Sequence, residues 1–205
     1  MKILAVNGSP KGPSGNTDIL LQSFLSGAKE AGAEIQMIYI IDKKINHCKG
    51  CFSCMQTTPG ICIQNDDMKE ILNALQNSDV IVYATPLYAY TVSSLMKVFM
   101  DRNMPLTFAE PLKKKMALIS TCGQPDRSTF KGLVETFKLM VNPYRELAGT
   151  ILCTSGNMLA LEHLKPLNNW YIEACKTAGR ELVGNGVFSE ATQDVLSRPL
   201  ICSQA

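Results

Sequence analysis

The chain has 205 residues, a formal net charge of only +2 and eight cysteines, and 46% of its residues are hydrophobic. That length suits one well-buried domain spanning 1–205, and the near-neutral charge excludes the electrostatic footprint expected of a nucleic-acid or membrane-surface binder. The apolar run after the first lysine is too short for a signal peptide, and no stretch is long and apolar enough to cross a membrane, so the sequence predicts a cytoplasmic protein with its cysteines reduced or metal-bound rather than paired.

Lys2 to Val6 is a short apolar run without helical period, which predicts a buried strand. It is broken at once by Asn7-Gly8-Ser9-Pro10-Lys11-Gly12-Pro13-Ser14-Gly15-Asn16-Thr17. A helix is expected from Asp18, with Asn16 or Thr17 as its N-cap and Leu20, Leu21, Phe24, Leu25 and Ala28 on one face. A loop of this composition that empties into a helix N-terminus offers backbone N–H groups, hydroxyls and the positive end of the helix dipole to an anion. The loop lacks both G-x-x-x-x-G-K-[ST] and G-x-G-x-x-G, so a terminal monophosphate suits it better than a triphosphate or a pyrophosphate. A plain Gly/Pro turn ahead of a capped helix is the alternative.

Glu34 to Ile41 is the second predicted strand. From Asp42 to Asp66 the pattern stops, although this stretch holds Cys48, Cys51, Cys54 and Cys62, and connections this long usually have a function. A helix then starts at Asp66 or Asp67, with Glu70 in capping-box position and Met68, Ile71, Leu72 and Leu75 facing inward. The third strand, Asp79 to Tyr83, runs into Ala84 to Tyr90, and another helix begins near Thr91 or Val92 with Leu95, Met96 and Phe99 inward. After a linker from Pro105 to Pro111, Met116 to Ser120 is the fourth strand, ending in Thr121-Cys122-Gly123-Gln124-Pro125. A helix from Ser128 to Val141 turns Phe130, Leu133, Val134, Phe137 and Val141 to one side. Ala148 to Thr154 is the fifth strand, interrupted at Ser155-Gly156-Asn157, and a last helix runs from Pro166 to Val183.

Five apolar strands alternating with helices imply a doubly wound α/β fold with a parallel sheet in the order 2-1-3-4-5. Ligands of such sheets bind beyond the carboxyl ends of the strands, here between strands one and three. The loops at that edge are Asn7–Thr17, Thr85–Tyr90 and Thr121–Pro125, and their turn-rich composition suits a flat aromatic ligand resting on backbone.

The run Asn7-Gly8-Ser9-Pro10-Lys11 with Gly15-Asn16-Thr17, the cysteine-rich excursion closing on Asp66-Asp67-Met68, and Thr85-Pro86-Leu87-Tyr88 followed by Leu95-Met96-Lys97 and Asp101-Arg102 carry a family resemblance. Together they resemble the NAD(P)H-dependent FMN reductases of the flavodoxin-like superfamily, and within these the iron-sulfur flavoproteins. The likeness is close over the first half of the chain and extends to the second only as a matching order of elements. It implies FMN as cofactor and NAD(P)H or a protein as electron donor, with Ser9, Lys11, Asn16 and Thr17 around the phosphate. It also implies that Pro86, Leu87, Tyr88 and Ala89 lie against the isoalloxazine, with Thr121, Cys122 and Gly123 along its other edge. Electrons would pass to a small-molecule or protein acceptor, and a homodimer or homotetramer is implied as well.

Flavin chemistry needs no side-chain acid or base, and His47 and His163 stand in no catalytic constellation. The spacing Cys48-x2-Cys51-x2-Cys54-x7-Cys62 suits three corners of a [4Fe-4S] cluster with a fourth ligand further along, better than it suits zinc knuckles. Four reduced, packing cysteines are the other reading. Cys122, Cys153, Cys175 and Cys202 read as core or surface thiols, and Asp101-Arg102 as a structural ion pair. A flavodoxin-type electron carrier and a colourless nucleotide-binding module are the competing functions; the near-neutral charge disfavours the carrier, which depends on electrostatic steering.

Overall fold

The computed structural model describes residues 1–108 and 113–200. Five strands, β1 (Lys2–Asn7), β2 (Glu34–Tyr39), β3 (Val80–Pro86), β4 (Lys114–Thr121) and β5 (Arg145–Cys153), form one sheet in the order β2-β1-β3-β4-β5. Every pairing is parallel, which confirms the expected doubly wound, flavodoxin-like topology.

Successive residues of each strand serve opposite layers. Ile3, Ala5, Val80, Val82, Ala117 and Ile119 pack beneath α1 (Asn16–Glu30), α7 (Lys165–Asn185) and α8 (Glu190–Ser197). Leu4, Val6, Ile81, Tyr83, Met116 and Leu118 pack beneath α3 (Met68–Gln76), α4 (Ser94–Arg102) and α6 (Lys131–Leu139). Burial on both faces is why these strands read as continuous apolar runs. Helices α1 and α7 touch at main-chain distance: a Cβ on Gly27 would collide with the Lys176 carbonyl, and one on Gly179 with that of Phe24.

Several boundaries differ from the sequence reading. The second strand stops at Tyr39, because Ile40–Asp42 form a 3-10 turn. The fourth predicted helix opens as a 3-10 turn over Arg127–Phe130, capped by the Asp126 carboxylate, and turns α-helical only over Lys131–Leu139. Val141, expected on its inner face, therefore lies beyond the helix end and is exposed. Met104–Phe108, overlapping the predicted linker, form a short helix, α5; the remaining linker residues, 109–111, and Cys202 lie outside the described residues. Gly186, in the left-handed region at φ +78°, ends α7, and Ser189 caps α8, which had no counterpart in the sequence reading. Asp101 and Arg102 form the last turn of α4 and pair with Lys97 and Asp66 respectively, not with each other.

The register brings the carboxyl ends together: Asn7 lies opposite Ala84, Pro86 opposite Thr121, and Thr121 opposite Cys153. Among the described residues no helix is long and apolar enough to cross a membrane.

Gly27→Ala should lower stability by about 2–3 kcal/mol, because the methyl group meets main chain, which cannot rotate away. Urea unfolding checks this as a lower midpoint at unchanged slope.

Candidate functional site

The loop after β1 is held by its own side chains. Asn7, fully buried at the strand end, accepts the Ser9 N–H at its Oδ1 (2.8 Å) and donates from Nδ2 to Asp18 Oδ1 (2.8 Å). The Lys11 N–H donates to Ser9 Oγ (3.2 Å), and the Gly12 N–H to the Ser9 carbonyl (3.0 Å). The cap of α1 is Gly15, not Asn16 or Thr17 as the sequence suggested, and no side-chain oxygen fills the capping position. A Cβ at Gly15 would lie 2.8 Å from Ser9 Oγ. The Thr17 hydroxyl is instead engaged across the sheet with the Thr121 hydroxyl (2.8 Å). The Asp18 N–H donates to the Gly15 carbonyl (2.9 Å), and the uncapped start leaves the N–H groups ahead of it available to an anion.

Two further loops wall the same space. The Leu87 N–H donates to the Thr121 carbonyl (2.8 Å), tying the end of β3 to β4. Tyr88 and Thr91 exchange two N–H···O bonds of 3.0 Å around a two-residue turn, in which Ala89 (φ +46°) and Tyr90 (φ +63°) are both left-handed. Two adjacent side-chain-bearing residues in that region cost about 1 kcal/mol each, strain of the kind that collects at functional sites. The loops after β4 and β5 are laced together by bonds from the Gly156 N–H to the Cys122 carbonyl (2.7 Å) and from the Ser155 N–H to the Gln124 carbonyl (3.0 Å).

The result is a cleft of about 150 Å³ lined by Ser9, Lys11, Asn16, Thr17, Pro86, Leu87, Tyr88, Thr121, Cys122 and Gly123. Ala89 is outside the lining, in the strained turn. Sequence reasoning missed Gly156 and Asn157, which form a further wall; the break after the fifth strand was the available signal. His47 and His163 are exposed and do not line the cleft.

The cysteine-rich excursion is stitched shut at its base. The Lys44 N–H donates to Asp67 Oδ2 (2.7 Å), and the Asn46 N–H to Asp66 Oδ2 (3.0 Å). The expected capping box of Asp67 and Glu70 is not formed, since Asp67 is turned to Lys44 and it is Asp66 that accepts the Met68 N–H (3.2 Å). Left-handed residues at Gly50, Phe52 and Gly60 curl the excursion around a one-turn helix, α2 (Ser53–Gln56). Cys48, Cys51, Cys54 and Cys62, all free thiols, line one cavity of about 160 Å³ together with Arg102.

Burial and the neighbouring thiol of Cys62 push the Cys54 thiol up, while the Ser53 hydroxyl and N–H draw that of Cys51 down. Among the described residues no group of three or more His, Cys, Asp or Glu side chains is placed to hold a metal ion. A cuboidal cluster makes a different demand, because each thiolate binds its own iron and the ligands surround the cavity rather than meet. Four thiols line the one cavity, which matches that donor set in kind and number.

Arg102, only 1% exposed, joins the excursion to the core. Its Nη1 donates to Asp66 Oδ2 (2.7 Å) and to the Asn46 carbonyl (2.6 Å), and its Nη2 to Asp66 Oδ1 (2.9 Å) and Cys62 Sγ (3.6 Å). The guanidinium holds the Asp66 carboxyl down at about 2.

A family model described as NADPH-dependent FMN reductase matches residues 1–143. Among curated proteins, an iron-sulfur flavoprotein of Archaeoglobus fulgidus is 36% identical over 115 residues, 56% of this chain and 51% of that one. An iron-sulfur flavoprotein of Methanocaldococcus jannaschii is 37% identical over 116 residues, 57% of this chain and 58% of that one. The chain thus spans about half the length of the curated relatives it matches. Among solved structures, an FMN-dependent NADH-azoreductase from Bacillus anthracis in complex with FMN superposes with a TM-score of 0.65 at 18% identity, covering 89% of this chain and 100% of that one. An NAD(P)H:quinone oxidoreductase from Methanothermobacter marburgensis does so with a TM-score of 0.66 at 13% identity, covering 89% and 96%. At these identities the two structures establish the fold.

Since the Asp66 carboxyl titrates at about 2 when folded and near 3.8 when unfolded, its stabilisation, about 2 kcal/mol, is complete above pH 3.8 and lost as pH falls towards 2. Acid-unfolding curves of wild type and Asp66→Asn should therefore differ in slope across that window and run parallel above it.

Proposed function

The chain belongs to the NADPH-dependent FMN reductase family, and on that premise we propose that it is an FMN-dependent oxidoreductase taking electrons from NAD(P)H or a protein donor and passing them to an acceptor. The observation that carries this reading is the union, in one cleft, of an anion-ready helix N-terminus with three backbone-rich loops at the carboxyl edge of the sheet. Bound FMN would supply the hydride and electron transfer itself.

The residues of the chain bind and orient. Ser9, Asn16, Thr17 and the first-turn N–H groups of α1 hold the phosphate monoester, and Lys11 offsets its charge. Pro86, Leu87 and Tyr88 form one side of the slot for the ring system, and Thr121, Cys122 and Gly123 the other, with Asn157 at the rim. Ala89 acts indirectly, by holding the turn that presents Tyr88. No side chain needs to act as acid or base.

In the same reading Cys48, Cys51, Cys54 and Cys62 hold a [4Fe-4S] cluster, supported by their common cavity and by relatives named iron-sulfur flavoproteins. Such a centre supplies one-electron transfer. The exposed Phe52, Ile61, Ile63, Tyr88 and Tyr90 beside the two cavities favour a homodimer or homotetramer as the working form. The described cysteines are all free, as suits a single-domain protein of the reducing cytoplasm.

Anaerobic purification followed by absorbance, iron, acid-labile sulfide and released-flavin assays tests the reading, with stopped-flow mixing with NADPH alongside. The expected outcome is a flavin-containing, iron-containing protein whose flavin band bleaches rapidly; a colourless protein overturns it, and flavin inert to NADPH points to a carrier instead. Thr17→Val should weaken FMN binding about tenfold by removing a hydroxyl hydrogen bond, measured by flavin fluorescence. The double variant Cys51→Ser, Cys54→Ser should lose iron and keep FMN.

A further inference from the structure

The residue left over from the cysteine pocket is its one buried cation. Arg102 sits on the last turn of α4, nearly inaccessible, and its two Nη groups are shared among the Asp66 carboxylate, the Asn46 carbonyl and Cys62 Sγ. Its Nε is buried without an acceptor among the described residues. A purely structural ion pair needs only the carboxylate. Here the fork spends one donor on a thiol and leaves another unpaired on a residue lining the cysteine cavity, where sulfur acceptors would satisfy it.

The position of this cation is set from the other cleft. The Ser93 hydroxyl, which caps α4, donates to the Gly8 carbonyl (2.5 Å), and the Ser93 N–H donates to Thr85 Oγ1 (3.0 Å), while Met96 packs against Gly8. One nine-residue helix, about 13 Å long, is therefore anchored in the loops around the anion cradle at its start and presents the guanidinium to the thiols at its end. The other charged side chains lining the cysteine cavity are Lys49 and Asp101, and Asp101 is already paired with Lys97 (2.6 Å).

We propose that Arg102 is a positioning residue of the cysteine pocket, which donates a hydrogen bond from Nη2 to the Cys62 sulfur and so raises the reduction potential of the iron-sulfur centre the four thiolates hold. This rests on the cluster reading given above. A donor aimed at a ligand sulfur stabilises the reduced centre more than the oxidised one, because the reduced centre carries the greater negative charge on its sulfurs. Asp66 fixes the plane of the fork, and arginine is required because its separated donors serve a carboxylate and a sulfur at once, whereas a lysine ammonium is a single point.

The test compares wild type, Arg102→Lys and Arg102→Gln after anaerobic reconstitution with iron and sulfide. Iron, sulfide and FMN contents, thermal unfolding, the EPR signal of the reduced centre and its midpoint potential are measured on each. Arg102→Lys can keep the ion pair with Asp66 and hence the fold, but loses the second donor. It should retain metal, FMN and unfolding temperature while its midpoint falls by the equivalent of a tenfold change in the reduced-to-oxidised ratio, ~59 mV for one electron. Arg102→Gln should fall at least as far. A midpoint in Arg102→Lys equal to wild type overturns the inference and leaves the cluster standing. Wild-type protein that binds FMN but takes up no iron or sulfide overturns the cluster reading, and this inference with it.

Discussion

A parallel sheet ends all its strands in the same direction, and that constraint governs this molecule. With β1 between β2 and β3, the turns leaving β1, β3, β4 and β5 crowd along a single edge, and their backbone groups have little regular structure to satisfy them. The chain answers with side chains at the strand ends. Asn7, wholly buried, bridges strand, loop and helix, and the paired hydroxyls of Thr17 and Thr121 join the first turn of α1 to the end of β4, with β3 between β1 and β4. Both contacts are polar and internal, so each helps to select one arrangement of the loops over others that bury the same apolar area.

The second consequence is that α4 serves two cavities. Its N-terminal cap belongs to the edge just described, through Ser93 and Gly8, and its C-terminal turn belongs to the cysteine excursion, through Arg102 and Asp66. Desolvation offsets part of the attraction in a buried ion pair of this kind, and losing one partner is severe. Its value here is geometric. The excursion between β2 and α3 contributes few buried apolar residues of its own, so a bidentate pair and the main-chain stitches to Lys44 and Asn46 hold it in place.

How legible the sites were from sequence depended on how local their causes are. The anion loop could be read because Gly, Ser and Asn ahead of an apolar helical period mark a helix start with free N–H groups inside one short segment. The identity of its cap could not, because the Thr17 hydroxyl bonds a residue 104 positions away. The same limit accounts for Asp66 and Asp67: local spacing makes Asp67 the natural cap, but the partners that decide the matter, Lys44 and Arg102, arrive only with the fold. Gly156 and Asn157 were passed over since a strand break shows that the chain turns without showing what it turns towards.

By itself the sequence determined the number, kind and order of the strands, their parallel pairing and the edge at which the loops meet, because apolar period and crossover handedness are properties of short segments and of chain chirality. It also placed four cysteines in one excursion. Tertiary structure alone decided that these thiols line a shared cavity, that Arg102 donates a hydrogen bond to Cys62 while its neighbour Asp101 pairs with Lys97, and that one helix ties this cavity to the cleft at the sheet edge. Each of these depends on contacts between residues far apart in the chain, and no local pattern encodes which distant partner a buried polar group will find.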